Sequence, residues 1–280
     1  MKHVRFLEVA AALHPRHSVV RAMALLRAFF DESWTRDGEG VTAIAGYVAS
    51  AGVWDAVEEP WKARLALYAD KGVRSFHMKD CCGAEGYGKF ARVNTDHRLH
   101  IINSLSGILE KSDVQAIWSS VYNEDWNSVV TDPEFLNKFP KPFSLCFEHI
   151  VQQLWRWAKR NADGELVVPM FAYQPEYATH MSNVGAAYGQ FPWYRDVLGP
   201  LAFDYPSRNV PLQGADLLAH EISWEWDRVG YGAPPTLMNI GIRRVLEKAT
   251  GFNGLHLGGC FDANALKLTV ERFKKTGSVI

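Results

Sequence analysis

Three short segments, far apart in the chain, place acidic side chains next to residues that could put them to work. Asp31-Glu32-Ser33 closes an apolar run that begins at Leu26. Phe76-His77-Met78-Lys79-Asp80-Cys81-Cys82 closes a second one. Leu212-Gln213-Gly214-Ala215-Asp216-Leu217-Leu218-Ala219 sits inside a third. Carboxylates crowded together repel and raise one another's pKa unless a cation neutralises them. Mg²⁺ or Mn²⁺ suits a site built from oxygen ligands. A histidine beside such acids can hold a phosphate or carry a proton near neutral pH.

Each segment also has a plainer reading. An aspartate at a strand end can simply begin a turn, and strand alternation puts Asp31 and Glu32 on opposite faces, so only one of them need face a site. His77 could make one ordinary structural hydrogen bond. His77, Cys81 and Cys82 could in principle hold zinc, but no second ligand pair at zinc spacing accompanies them. On a helix over 211–227, Leu212, Ala215, Leu218, Ala219, Ile222 and Trp226 share an apolar face. Gln213, Asp216 and His220 share another, into which Leu217 intrudes, and that face could be merely solvated. Against this, a carboxylate inside an Ala-Asp-Leu-Leu-Ala run is expected to be half-buried and to need a partner or a metal.

The elements that must position these residues follow from periodicity. Strands are expected at 26–33 and 42–49, joined by the turn Asp37-Gly38-Glu39-Gly40 and therefore antiparallel. Trp54, Val57, Trp61, Leu65 and Tyr68 recur at helical spacing, with Pro60 delaying the regular helix and Gly72 ending it. A strand at 73–78 is expected next, then a glycine-marked loop and a helix at 94–112 capped by Asn94 or Thr95. Strands follow at 114–121, 166–172 and 201–204, and helices at 143–161, 211–227 and 263–275. Pro169 predicts an edge or a bulge. Residues 173–200 read as irregular. The sum is one α/β domain, a mixed sheet flanked by helices, with residues 1–22 an extension upstream of Met23 that contributes little to the core.

Composition fits this picture. The chain has 280 residues, 48% of them hydrophobic and 22% charged, which is ordinary globular usage. A net charge of −1 argues against a strongly basic nucleic-acid binder, though a local basic patch would be compatible with it. Cys81, Cys82, Cys146 and Cys260 show no disulfide framework. No stretch reaches the roughly 20 apolar residues of a membrane span, and the opening does not read as a signal peptide. A cytoplasmic location is the expectation.

In order and spacing, the three segments resemble the domain-of-unknown-function family 3800, a branch of the ribonuclease-H-like superfamily. The resemblance runs from about Leu26 to Arg228. It implies a ribonuclease-H-like sheet with the first-strand acid beside an acid from a late helix. Asp31 and Glu32 then match the early acidic pair, His77 the mid-chain histidine, and Gln213 and Asp216 the late motif. Ser207 and Arg208 resemble its Ser-Lys pair, with Arg for Lys. Two departures stand out. Gln174, with Glu176 two residues on, occupies a position where members often carry an acid, and a helix separates the second and third strands.

The function so implied is metal-dependent hydrolysis of DNA or RNA, with Asp31, Glu32 and Asp216 as metal ligands and Mg²⁺ or Mn²⁺ as cofactor. Asp80 would assist, His77 would orient the phosphate or protonate the leaving group, and Gln213 would position a ligand or water. Two such ions about 4 Å apart can activate water and stabilise a leaving oxygen. Two other classes stay open. One is a non-catalytic module binding nucleic acid or protein, with Tyr173, Tyr177, Phe191, Trp193 and Tyr194 available for stacking on bases or for packing on the core. The other is a hydrolase of small phosphorylated molecules.

Overall fold

The computed structural model describes residues 26–35, 39–82, 88–230 and 258–279. The segment 1–22, and Asp37 and Gly38 of the turn expected between the first two strands, lie outside the described residues. Two runs of alternating apolar residues, β1 (Leu26–Trp34) and β2 (Val41–Ser50), pair antiparallel in the register Phe30↔Gly46 and Asp31↔Ala45. They are joined by β3 (Gln115–Tyr122), β4 (Val167–Ala172), β5 (Ala202–Asp204) and β6 (Gly258–Phe261) in a mixed six-stranded sheet of order β5-β4-β1-β2-β3-β6. β4 runs parallel to β1, β5 to β4 and β6 to β3, so β2 alone runs against the rest. The carboxyl ends of β1, β3 and β4 therefore share one edge of the sheet.

Alternation along the strands sends side chains into two cores, one on each face. On the first face Phe29, Ala43, Ala45 and Tyr47 meet α1 (Ala51–Ala66), α3 (Thr95–Lys111) and the long helix α9 (Val210–Gly230). Between α1 and α3 lies α2 (Met78–Cys82). On the second face Ala28, Phe30, Ile44 and Ile117 meet α6 (Pro142–Asn161), with α4 (Asn123–Val129), α5 (Pro133–Lys138) and α10 (Ala263–Thr276) beside it. The remaining α-helices among the described residues are α7 (Pro175–Tyr188) and α8 (Pro192–Arg195). Among the described residues, no helix is long and apolar enough to cross a membrane.

Several sequence expectations are corrected here. Residues 73–78 form no strand; the chain passes into α2 at Met78. Residues 173–200, read as irregular, contain α7 and α8, and β6 was not foreseen. Pro60 does not delay α1, which starts at Ala51 with Ser50 as its N-cap and carries Pro60 in its interior. Pro169 is on an inner strand, yet its missing N–H is harmless. Val167 N–H donates to Val197 on the β5 side, so residue 169 would point the same way, where the β5 ladder resumes only at Met170.

Gly46 shows how tightly the centre is packed. A Cβ there would sit 1.8 Å from the Phe29 carbonyl oxygen and 2.6 Å from the Phe30 ring. Gly46→Ala should therefore destabilise the fold by at least about 3 kcal/mol or prevent folding. Gly52→Ala, on the exposed side of α1 with nothing within 4 Å, should stabilise it by roughly 0.5–1 kcal/mol. Urea unfolding of the pair checks this; equal effects would show that the steric argument is wrong.

Candidate functional site

Asp31 lies near the end of β1 on the same face as Phe29 and Ser33, the face that α9 covers. Its strand partner Ala45, and Ala43 opposite Ser33, are small, which lets α9 lie close against β1 and β2. The Ser33 and Ser223 hydroxyls hydrogen-bond at 2.9 Å and tie helix to strand near this edge. α9 is unusual in being buried without interruption from Val210 to Ala219, because the sheet covers one side and α1, α2 and α3 the other. Its polar residues must therefore find partners inside the protein.

Gln213 finds three. Its Oε1 accepts from the Trp61 indole N–H and from the Phe76 backbone N–H, each at 2.9 Å, and its Nε2 donates to the Pro206 carbonyl at 2.8 Å. With its amide so engaged, Gln213 is a positioning residue and not the ligand- or water-holding group the sequence suggested. One turn on, Asp216 Oδ2 accepts from the Met78 N–H at 2.6 Å. Gln213 and Asp216 together fix residues 76–78 and set the start of α2. His77 is left at the surface, 44% exposed, with its Nδ1 3.3 Å from Asp80 Oδ1.

The structure thus brings Asp31, Glu32, Asp216, His77 and Asp80 into one electrostatic neighbourhood. Burial, then Glu32 and Asp216, hold the Asp31 carboxyl well above the usual carboxylate range. Alternation places Glu32 on the α6 face, while its backbone N–H donates to Asp31 Oδ1 at 2.9 Å; burial pushes the Glu32 carboxyl up to about 7 against the influence of Asp31 and Gln174. Asp216 is pushed up to about 6, chiefly by burial, against the pull of His77 and of the Met78 N–H. The largest charges acting on this trio are those of its own members, with His77 and Asp80 acting on Asp216.

Other expected participants stand apart. Glu176 is exposed and paired with Lys141. Ser207 and Arg208 lie on the exposed turn before α9, with the Arg208 guanidinium over the Tyr205 ring. Cys81 donates to the Arg98 carbonyl, and burial pushes its thiol up to about 12, as befits a packing residue. Of the aromatic set, Tyr194 is buried, Tyr177 stacks on Phe143, and Phe191 and Trp193 stack on each other at the surface. His220, which the sequence puts on the same helix face as Gln213 and Asp216, is a neighbour of this site. Burial, with His77 second, pushes it down to about 4, and among the described residues its Nδ1 is buried without a hydrogen-bond partner.

Among the described residues, no group of three or more His, Cys, Asp or Glu side chains converges into a ready metal cage. The donor chemistry nonetheless fits Mg²⁺ or Mn²⁺. Mg²⁺ keeps several waters and is commonly held by one or two carboxylates together with substrate phosphate, without an all-protein cage.

No family model matches the chain, and no curated protein matches it. Among solved structures it is similar to RNase HII in the PCNA:RNase HII complex from Archaeoglobus fulgidus, at 12% identity over 83% of this chain and 92% of that one, with a TM-score of 0.37. A likeness this distant says nothing of activity.

Folding raises the carboxylate pKa values, so the folded chain binds more protons than the unfolded one between the ordinary carboxylate range and about 7. This cluster's contribution to stability therefore falls as pH rises through that window. His149 and His220, both pushed down to about 4 mainly by burial, oppose the trend, so the clean readout is a difference between variants. In chelator, Asp216→Asn should raise the thermal midpoint by several degrees at about pH 7.5, the removed penalty being at most roughly 3 kcal/mol, and by about half as much at about pH 5. A gain equal at both pH values would contradict the assignment.

Proposed function

We propose that the protein is a divalent-metal-dependent phosphodiester hydrolase acting on nucleic acid, a divergent ribonuclease-H-like enzyme of the family 3800 type. The observation that carries this reading is that three neighbouring carboxyl groups, those of buried Asp31 and Asp216 and of half-buried Glu32, are all held above the usual carboxylate range. Such a trio is held at a cost in the apo chain, and a hard cation relieves that cost.

Asp31 and Asp216 would hold the ion, with Glu32 beside them and Gln174 steadying Glu32. When bound, Mg²⁺ or Mn²⁺ would supply activation of water and stabilisation of the leaving oxygen. His77, half-buried and beside Asp80, would bind the phosphate or give a proton to the leaving oxygen. Asp216 has a second task, since its bond to Met78 N–H anchors the backbone that carries His77. Gln213 sets the same backbone one step earlier, at Phe76. The positions of the acids and of the histidine are thus coupled through one helix.

The absence of a three-ligand cage among the described residues favours a second reading, a nucleic-acid-binding module that keeps the cluster without turnover. Activity separates the two. The first reading expects cleavage of DNA or RNA with Mn²⁺ or Mg²⁺ that stops in chelator. Asp31→Asn and Asp216→Asn should each lower turnover by roughly a hundredfold or more, while Glu176→Gln leaves it unchanged. Cleavage in chelator, or full activity in Asp216→Asn, would refute it. No cleavage, together with no metal binding by calorimetry, would favour the module.

A further inference from the structure

Next to the carboxylates, on the α6 face, the shared edge of the sheet opens into a cleft of about 420 Å³. It is assembled from strand ends and helix starts: Trp34 ends β1, Thr42 begins β2, Asn123 and Asn127 follow β3, Phe143 opens α6 and Tyr177 opens α7. In open α/β sheets, ligands bind outside the carboxyl ends of strands where neighbouring connections diverge. Here β1 stands between β4 and the reversed strand β2, and Glu32 lies two residues before Trp34, on the same side of β1 by alternation. Tyr177 is close enough to Glu32 to feel its charge.

The lining has a distinct chemistry. Trp34, 46% exposed, and the stacked pair Phe143–Tyr177, with ring centres 3.9 Å apart, supply aromatic surface. Asn123 is only 3% exposed, and Thr42 Oγ1 donates to its Oδ1 at 2.8 Å. That bond fixes the amide with Nδ2 turned away from Thr42, and among the described residues Nδ2 is buried with no hydrogen-bond partner. A buried donor left unsatisfied is costly, and an acceptor brought by a ligand would relieve that cost. Asn127, exposed on the same wall, adds a second amide. Lys141 and Glu176 at the rim neutralise each other, and Lys141 also lies over the Tyr177 ring at 5.3 Å. The cleft therefore offers π surface and amide hydrogen bonds without net charge, which suits a flat, neutral, carbonyl-bearing ring better than a phosphate.

We propose that this cleft is a nucleobase subsite, which takes one unpaired base of a nucleic-acid strand whose backbone runs past the neighbouring carboxylates. Trp34 gives the stacking surface, Tyr177 borders it, and Asn123 Nδ2 donates to a base carbonyl. The inference rests on the nucleic-acid reading above and deepens it: the substrate is single-stranded, or locally unpaired, where it meets the protein.

The test is binding of a labelled short oligothymidylate and of an abasic strand of the same length, measured by fluorescence anisotropy in chelator so that no cleavage can occur. The wild type should bind the thymidylate at least roughly tenfold more tightly than the abasic strand. Trp34→Ala, at an exposed position that should not disturb folding, should erase most of that preference. Asn123→Asp, which keeps the oxygen that accepts from Thr42 and removes the free donor, should do the same, with its thermal midpoint checked against wild type. Equal binding of the two strands by wild type, no binding of either, or a preference that survives Trp34→Ala would overturn the proposal. The two readings fail separately. Base-dependent binding without cleavage in Mn²⁺ would leave the subsite standing and remove the hydrolase, whereas metal-dependent cleavage with no base preference would do the reverse.

Discussion

The burial of Asp216 on a helix covered from every side is the constraint on which the rest of this structure turns. A carboxylate in that position must be satisfied from within, and it is met by one backbone N–H, that of Met78. One turn earlier Gln213 accepts from Phe76 N–H and Trp61 and donates to Pro206. Two side chains of α9 thereby decide the course of a segment more than 130 residues away in sequence. The same closeness that allows these bonds, given by Ala43 and Ala45 on the sheet beneath, brings Asp216 up to Asp31. Positioning and electrostatic stress have one origin.

This arrangement explains where sequence reasoning worked and where it did not. The central strands were legible because their apolar runs are dense enough for burial on both faces, and α1, α3, α6 and α10 because their buried residues recur at helical spacing. The late helix was legible too, but not its burial: the polar face drawn through Gln213 and Asp216 looked half-solvated, and only its partners could reveal it as interior. Residues 73–78 looked like a strand for a sound local reason. Phe76 and Met78 present alternate N–H groups to acceptors on one side, as a strand does, but the acceptors are side chains of a helix and not a neighbouring strand. The segment 173–200 misled in the opposite way. Its prolines suggested irregular chain, yet Pro175 and Pro192 stand at the first helical positions of α7 and α8, where the missing N–H would be unpaired in any case.

The candidate site was legible as a set of acids and less so as a geometry. Asp31, Glu32, Asp216, His77 and Asp80 could be named from residue type and context, and the structure gathers them. The role of Gln213 could not, since glutamine in a helix gives no hint of how many partners wait for its amide. Nor could the cleft beside the acids, because Trp34, Asn123 and Tyr177 come from three separate elements and are joined only by the direction of the strands. Five strands running one way put their ends, and the connections that follow them, at one edge. The acids and the cleft are two uses of that edge, separated by the alternation that turns Asp31 toward α9 and Trp34 toward α6.

The central claim is that the buried carboxylates form a cation site that is partly protonated when empty, and proton release on metal binding tests it most directly. Mn²⁺ can be titrated calorimetrically at about pH 6, inside the window set by the raised carboxylates, in two buffers with different ionisation enthalpies. The account predicts binding whose heat depends on the buffer, with protons expelled as the ion enters, and loss of both the binding and the release in Asp216→Asn. Binding with no proton release, or binding unchanged in Asp216→Asn, would contradict it.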